Sequence, residues 1–556
     1  MLGQESKQRS FFDAAFAVED LLEAGSFYEV LYRLGPKLWT DEDFADCYDV
    51  TTGRPSVPPG RMFKLLVLQA YEDLSDRQAL ERMVFDLRWK AVLGLEVQDR
   101  AVGQATLVEF RARVQLHEKM EEAFGRFLEV LLEAGVVSQE AVQLLDSTAI
   151  WGQGAVQDTY NLIGSAVRKL LGVASKRRGR RATELAGEIG LMLTAPAETG
   201  SLKGRGEIDW SDAGERRSFL NQIVGEARLL LSALSGDERD DPDVAEAMAL
   251  LRRILVQDLE PVREEGKLPE DRGGGGLDNE QAILALDTEV DIRRGVAKDR
   301  VVSVGDPQMR HGRKSHNRRW DGYKAHVSVE AEHGFFTAVE VTPANVHDGK
   351  AAPSLMDQHW ERGLKPVANV GDMAYSTAKL RKWAKEKGTE IVARVPPPSQ
   401  REGYFSKADF ALDLEEESVT CPAGCKTMER QSHSGGGRTF IFDGRVCADC
   451  PSRPQCTKKD PDRMRRRGEG RTIAWHALEA VLQAARAAEA TPGVQELLGL
   501  RWKVEQRIAH LVRRGLRQAR YRGVRKVQFQ ALTAALVANL MRLGSVWAQD
   551  TPFSWA

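Results

Sequence analysis

Three acidic residues that lie far apart in the chain have the types and contexts needed for metal-dependent chemistry. Asp146 follows the apolar run 141–145, Asp372 follows the apolar run 366–371, and Glu505 lies in a helical, strongly basic stretch. Carboxylate oxygens are the ligands that Mg²⁺ or Mn²⁺ prefers. Two such ions about 3.5–4 Å apart can stabilise the attacking and leaving oxygens of phosphoryl transfer. The three acids together predict a two-metal centre for phosphoryl chemistry.

Basic residues are concentrated locally in a chain that is almost neutral overall. The chain has 79 Lys and Arg against 81 Asp and Glu, which argues against a protein that coats nucleic acid through bulk positive charge. Dense basic clusters nevertheless occur at 176–181, 310–319 and 463–467, and residues 501–526 contain ten Lys or Arg with Glu505 as the one acid. This pattern predicts either a groove that follows a phosphate backbone or a solvated basic helix.

Five of the six cysteines cluster late in the chain. Cys421 and Cys425 form one pair, and Cys447, Cys450 and Cys456 follow. Short Cys spacings supply adjacent ligands for tetrahedral zinc. We predict one structural Zn²⁺ bound by the last three cysteines and by Cys421, with Cys425 as the alternative fourth ligand. Reduced cysteines in a loop are the competing interpretation.

The elements that must position these residues form a mixed pattern. Helical periodicity covers residues 1–135, where Ser75–Gln78 has the sequence of a capping box, and this region is interpreted as a DNA-binding or assembly domain. Strand and hairpin patterns predict a mixed α/β sheet from the following segments: strand 141–146, hairpin 323–330 with 335–341, strand 366–371, helix 376–387 and strand 390–395. Open α/β sheets bind ligands at strand carboxyl ends, so Asp146 and Asp372 are expected close together at one rim.

Two insertions interrupt this sheet. Residues 155–295 are predicted to be helical with a flexible joint at Gly273–Gly276, and residues 397–472 contain the cysteines. Helices are expected through 473–489 and 495–520, and the apolar run 531–541 is too short to span a membrane. The predicted domains are therefore as follows: 1–135, helical; 136–154 with 296–396, catalytic core; 155–295, helical insertion; 397–472, zinc-knuckle insertion; 473–556, C-terminal helices completing the core.

The chain resembles the DDE transposases of bacterial insertion sequences, in a branch with long insertions and a cysteine knuckle. The likeness covers nearly the whole chain and is based on the Asp146 strand, the Asp372 turn and these strings in order: Ser303–Ser315, Asp321–Lys324 and Thr342–Asp348. It implies a ribonuclease H-like core in which Asp146, Asp372 and Glu505 bind two Mg²⁺ or Mn²⁺ ions.

The resemblance also implies further site residues. The predicted DNA contacts are Arg310, Arg313, Lys314, Arg318, Arg319, Lys324, Arg501, Arg513 and Arg514, and His347 and Asp348 are expected to support the site. Related transposases often have Tyr and Lys around the glutamate, where this chain has Leu498 and Val512. Glu489 and Glu496 are therefore alternatives to Glu505 as the third ligand.

The expected function is transposition. The protein would bind the ends of an insertion sequence, cleave them by metal-dependent hydrolysis and join the 3′-OH ends to target DNA, as a homodimer on double-stranded DNA. A nuclease without strand transfer and a catalytically inactive DNA-binding derivative are the alternatives. The first residues lack the apolar segment of a secretory signal, so a cytoplasmic, nucleoid-associated protein without membrane contact is expected.

Overall fold

The computed structural model describes residues 1–5, 10–49, 53–196, 200–205, 207–262, 277–315 and 317–548. The predicted glycine joint at 273–276 lies outside these residues.

The N-terminal region is helical, as predicted. Its helices are α1 Ala15–Val18, α2 Phe27–Leu38, α3 Pro59–Glu72, α4 Asp76–Phe85, α5 Leu87–Leu93, α6 Gln104–Leu116 and α7 Lys119–Glu133. The capping box at Ser75 and Gln78 is confirmed. Asp86 ends α4 and caps α5 by accepting the Arg88 N–H. Leu87 at the start of α5 is 41% exposed.

The first strand and the helical insertion come next. They comprise β1 Gln143–Trp151, α8 Thr159–Arg177, α9 Ala182–Ile189, α10 Ala213–Ala233, α11 Gly236–Arg239, α12 Pro242–Asp258, β2 Leu259–Pro261, α13 Leu277–Leu284 and β3 Val290–Ile292. Apolar residues of α8, α10 and α12 form a core of their own, separate from that of the sheet. The insertion is therefore a helical unit that buries its own apolar surface.

The remaining strands of the catalytic sheet confirm the predicted mixed α/β core. They and their helices are β4 Arg310–Ser315, β5 Arg318–Glu330, β6 Phe336–Pro343, α14 Asp348–Glu361, β7 Ala368–Val370, α15 Ala378–Glu386 and β8 Glu390–Val392. The strand order is β4-β5-β1-β7-β8, with β6 also pairing with β5. β5 and β6 are antiparallel, as is the pair β1 and β5, whereas β1, β7 and β8 are parallel. This is a ribonuclease H-like mixed sheet.

The cysteine-rich insertion is a small β unit. Its elements are β9 Ala411–Asp413, β10 Ser418–Thr420, β11 Lys426–Thr427, β12 Arg430–Ser432, β13 Arg438–Asp443, α16 Gly444–Ala448, α17 Arg453–Cys456, α18 Pro461–Arg467 and β14 Glu469–Trp475. The prediction of a helix starting at Ile473 is wrong, because Ile473 and Trp475 are buried in a strand paired with β13. Their spacing of two residues is typical of a strand.

Four helices end the described chain: α19 Glu479–Glu489, α20 Pro492–Gly499, α21 Trp502–Leu511 and α22 Val524–Trp547. The prediction of one helix through 495–520 is wrong, because a π-helical turn at Val512–Leu516 ends α21 and Gly515 has a φ of +86°. α22 is long and apolar enough to cross a membrane by composition, but 78% of its most apolar window is buried. Such burial is typical of a core helix.

The sheet is covered on both faces. One face shares a single core with the N-terminal helices, α21 and α22, in which Phe127 of α7 lies 6.4 Å from Phe335 between ring centroids. The other face packs against α14 and α15 through residues such as Leu145, Leu355 and Tyr375. The N-terminal helices are therefore part of the catalytic core rather than a separately packed domain.

Candidate active site

The parallel pairing of β1 with β7 sets the level of the two aspartates. Gln143 lies opposite Asn369 and Leu144 opposite Val370. Asp146 and Asp372 each come two residues after the last of these pairs, and Asp372 is close enough for its charge to raise the pKa of Asp146. Both aspartates therefore lie near the edge where β7 ends.

Asp146 does not lie at a strand end, so that part of the prediction is wrong. β1 continues to Trp151 because it stays paired with β5, and Asp146 lies opposite Val327 within that ladder. β7 ends at Val370, which removes the neighbour of β1 on its other side. Asp146 is therefore exposed to the site by the end of the neighbouring strand rather than by the end of its own.

The environment of Asp146 disfavours its charged form. Burial raises the pKa of Asp146 to about 6, and the negative charge of Asp372 acts in the same direction. The hydrogen bond from the Ser147 N–H and the positive charges of Arg501 and Lys314 lower this pKa in part. The Ser147 N–H donates to Oδ1 at 2.8 Å. A divalent cation would offset both the desolvation and the repulsion of two adjacent carboxylates. This donor set fits Mg²⁺ or Mn²⁺.

Asp372 is held by the turn that follows β7. It caps the 3₁₀ turn Met373–Tyr375, and its Oδ1 accepts the Ala374 N–H at 2.8 Å. A Cβ at Gly371 would lie 2.7 Å from Cδ2 of the Tyr375 ring. Gly371 therefore makes room for the Tyr375 ring, because any larger residue there would clash with it.

Glu505 lies on the correct face of the sheet but does not form a compact group with the aspartates. Asp146 lies on the same face of β1 as Leu144 and Ile150. These two residues belong to the same core as Val504 of α21. The Glu505 side chain is 62% exposed, and its Oε1 lies 3.9 Å from Arg501 Nη2. Among the described residues, the groups with ligand atoms within 4.8 Å of one another do not include the three acids.

The two competing glutamates have other environments. Glu489 accepts the Val395 N–H just beyond β8, so its carboxylate stabilises the end of that strand segment. Glu496 is exposed on α20. Neither observation places a second glutamate beside Asp146, and Glu505 stays the preferred third ligand.

A hydrogen-bonded network supports the site behind Asp146. Ser147 Oγ donates to Asp348 at 2.7 Å, and Lys324 Nζ donates to the other oxygen of Asp348 at 2.6 Å. Burial opposes ionisation of Asp348, but the hydrogen bond and charge of Lys324 hold its pKa below the ordinary value. His347 caps α14 by accepting the Gly349 N–H. Asp348 is therefore linked to the strand of Asp146, whereas His347 has a capping role.

Sequence reasoning missed three residues around this network. Ser147 is adjacent to Asp146 in the chain, and His326 follows Lys324 at the spacing of one strand face. His326 is buried, its Nε2 lies 2.9 Å from Thr342 Oγ1, and burial lowers its pKa to about 4. Tyr375 is buried with the charges of Asp348, Asp146 and Asp372 around it, which together with burial raise its pKa. Their positions in the sequence were the signal that could have identified them: Ser147 follows Asp146, His326 comes two residues after Lys324, and Tyr375 comes three residues after Asp372.

The structure divides the predicted DNA-contacting residues into two groups. The side chains of Arg313, Lys314, Arg318, Arg319 and Arg513 are exposed. Arg310 is only 6% exposed and donates to Asp299 and to two carbonyl oxygens. Arg514 donates to the Tyr71 carbonyl and lies over its ring, and Lys324 is bonded within the site. Arg310 and Arg514 are thus structural residues here.

One of the basic clusters is largely neutralised. Arg178 pairs with Glu238, and Arg180 and Arg181 pair with acids of the same region. The cluster at 176–181 therefore offers less free positive charge than its sequence indicates.

Four of the clustered cysteines line one small cavity. It has a volume of about 30 Å³ and is bordered by Cys421, Cys447, Cys450 and Cys456. Cys425 does not border it, although the Cys421 N–H donates to the Cys425 carbonyl at 2.8 Å. Among the residues that the structure describes, no three of the sulfurs lie within 4.8 Å of one another. Four thiols around one apolar cavity fit a zinc ion by type, and zinc binding stays a prediction.

A second Cys-containing group was not expected from the sequence. Ligand atoms of Asp46, Cys47 and His117 lie within 4.8 Å of one another. Lys119 Nζ already lies 2.8 Å from Asp46 and provides it with a positive charge. This group is therefore already neutralised by a lysine.

Comparison with known families gives two matches. A model described as a transposase DDE domain matches residues 293–540, and a model described as a transposase domain (DUF772) matches residues 16–113. The first match includes Asp372 and Glu505 and begins after Asp146 and almost all of the helical insertion. No curated protein matches the chain.

Proposed function

The chain belongs to the DDE transposases of insertion sequences, a family that acts on DNA with divalent metal ions, and from this premise we propose how its own site works. We propose that the protein binds the ends of an insertion sequence, hydrolyses the phosphodiester at each end and joins the released 3′-OH to target DNA. The observation that supports this proposal most strongly is that Asp146 on β1 and Asp372 after the paired strand β7 are near enough for their charges to interact.

Asp146, Asp372 and Glu505 would hold two Mg²⁺ or Mn²⁺ ions. When bound, such ions supply activation of the attacking oxygen and stabilisation of the leaving oxygen. In hydrolysis, a water oxygen would bond to phosphorus and lose a proton to solvent, while the bond to the 3′ oxygen breaks and that oxygen takes up a proton to become the 3′-OH. In strand transfer, the freed 3′-OH oxygen would bond to phosphorus of a target phosphodiester and lose its proton, while the target's own P–O3′ bond breaks and the target 3′ oxygen takes up a proton.

The protein's own residues position and neutralise the reacting groups. Ser147 and Lys324 fix Asp348 behind the strand of Asp146, which limits movement of that strand. Arg501 and Lys314 lie close enough to Asp146 to favour its charged form. The same two cations are suited to the negative charge of a phosphodiester.

The exposed arginines and lysine of β4 and β5 would contact the DNA backbone near the site. The exposed members are Arg313, Lys314, Arg318 and Arg319. We further propose a homodimer on DNA, since two ends must be held together, and a cytoplasmic, nucleoid-associated location. One structural Zn²⁺ in the cysteine-rich unit completes the proposal.

A cleavage and strand-transfer assay tests this function. The substrate is a duplex with the genomic sequence that flanks the gene, either intact or already cut at the 3′ end, incubated with Mg²⁺ or Mn²⁺ and a second duplex. We expect both nicking and joining by the wild-type protein, and loss of at least about a thousandfold in rate for Asp146→Ala, Asp372→Ala and Glu505→Ala.

Glu496→Ala is the matched control, because Glu496 is an exposed glutamate on the neighbouring helix α20. It should keep wild-type activity. Nicking without joining of the pre-cut end would instead identify a nuclease, and DNA binding without either reaction would identify an inactive derivative. Full activity in any one of the three alanine variants would remove that residue from the site.

A further inference from the structure

A cleft lies between the catalytic core and the cysteine-rich unit, away from the three acids. Its volume is about 680 Å³. Lys379 of α15 lines one side, and β14 with the start of α19 lines the other. None of the residues proposed for the reaction lines this cleft.

The charge of the cleft is strongly positive. Four basic side chains line it, from Lys379, Lys407, Arg471 and Arg486. The one carboxylate is Glu479, which is 1% exposed and accepts Lys407 Nζ at 2.7 Å. The four basic side chains and this one carboxylate leave three positive charges, and an anionic ligand would be attracted to the cleft.

The cleft continues towards the candidate active site. Lys379 also lines a second groove of about 540 Å³, together with His347 and Lys350 at the start of α14. The next residue after His347 is Asp348, whose carboxylate accepts Ser147 Oγ beside Asp146. The two depressions share Lys379 as a lining residue. We call the surface that they form together, from the cysteine-rich unit to the start of α14, the basic path.

The extent of this path determines the class of ligand. A single small anion would occupy only one part of it, whereas a DNA strand presents a phosphate about every 3.4 Å. We propose that the path binds the phosphate backbone of duplex DNA on one side of the scissile phosphate. This inference rests on the proposed function and deepens it, because it gives the cysteine-rich unit a part in holding substrate.

The test measures binding of a duplex of arbitrary sequence, about 40 base pairs long, as a function of salt, since backbone contacts are independent of sequence. A chelator prevents cleavage. Lys379→Gln should reduce the slope of log affinity against log salt by about 0.9 and weaken binding roughly five- to tenfold near 0.1 M salt. The double variant Lys350→Gln with Lys379→Gln should reduce the slope by about twice as much.

Lys382→Gln is the matched control, because Lys382 is on the same helix, is 57% exposed, and lines neither depression. Thermal unfolding should be unchanged in all three variants, since the lysines are exposed. An unchanged slope for Lys379→Gln would contradict binding of DNA along the basic path, and so would an equal reduction of the slope by Lys382→Gln. Either result leaves the proposed function intact. Absence of DNA binding by the wild-type protein overturns both.

Discussion

Asp146 and Asp372 are separated by more than two hundred residues of chain, yet the pairing of β1 with β7 puts Asp146 of β1 near Asp372, which follows β7. Their proximity has an electrostatic consequence, because burial and mutual repulsion raise the pKa of Asp146. At the residue scale, the ionised carboxylate of Asp146 therefore destabilises the folded protein. Such a cost is expected where ligands are preorganised for a cation.

The raised pKa of Asp146 predicts a pH-dependent stability. The folded protein holds the Asp146 proton up to a pH of about 6, whereas the ordinary value is 3.8. Ionisation of Asp146 thus lowers the free energy of unfolding. This effect is complete above pH 6, becomes smaller as the pH falls, and disappears below pH 3.8. With chelator present, Asp146→Asn should raise the free energy of unfolding by up to about 3 kcal/mol near pH 8, and by roughly half as much near pH 5.

Urea unfolding at both pH values measures this effect. Asp357→Asn is the control, because Asp357 is an exposed aspartate on α14. Asp357→Asn should not reproduce the gain in free energy of unfolding that is expected for Asp146→Asn near pH 8. A gain for Asp146→Asn that is the same at both pH values would contradict the electrostatic explanation.

At the scale of elements, pairing partners changed several predicted boundaries. β1 extends five residues beyond Asp146 because β5 stays paired with it to Trp151. Residues 473–475 belong to β14 rather than to the start of a helix, because β13 supplies the hydrogen-bond partners of β14. The cysteine-rich unit consequently includes residues beyond the predicted boundary at 472.

The cysteine-rich unit should depend on bound zinc. We expect about one Zn²⁺ per purified chain, and its loss in Cys447→Ser and Cys450→Ser, because thiolates around one cavity are the natural ligands of tetrahedral zinc. Elemental analysis of the purified protein measures the zinc. Removal of zinc by a chelator should unfold β9–β14 while leaving the catalytic sheet folded.

Cys47→Ser is the control for this prediction, since Cys47 lies in the N-terminal region beside Asp46 and His117. It should keep the zinc content. Zinc-free protein with full activity would remove zinc from the proposal, and separate Cys421→Ser and Cys425→Ser variants would identify the fourth ligand.

At the scale of the whole molecule, the N-terminal helices and the helical insertion pack in different ways. The N-terminal helices share one core with the sheet, α21 and α22, whereas the helical insertion has its own. The N-terminal region is thus expected to unfold together with the catalytic sheet, and the insertion to unfold as a separate unit.

Substitutions in the two cores test this division. Phe127→Ala should destabilise the shared core by about 3–5 kcal/mol, and Leu251→Ala should destabilise the insertion by about 2–5 kcal/mol. Hydrogen exchange should then show lower protection in α7, β6 and α22 for the first variant. For the second variant it should show lower protection only in α8, α10 and α12.

Each variant serves as the control for the other, because Phe127 is 1% and Leu251 0% exposed. Equal loss of protection in β1 from Leu251→Ala would show that the two cores unfold as one.

The sequence by itself determined the local chemistry and the types of the main elements. Apolar runs and alternation identified the strands before Asp146 and Asp372, the hairpin of β5 and β6, and the helical character of residues 1–135, because these features depend on near neighbours in the chain. The capping box at Ser75 is of the same kind.

Only the tertiary structure decided how these parts meet. The register of β1 with β7, the burial of Arg310, the link from Ser147 and Lys324 to Asp348, and the shared core of the N-terminal helices all join residues distant in sequence. The hydrophobic periodicity and the composition of a segment do not indicate which distant residues will contact it. A strand pattern specifies which face is buried, but the neighbouring chain determines what lies opposite it.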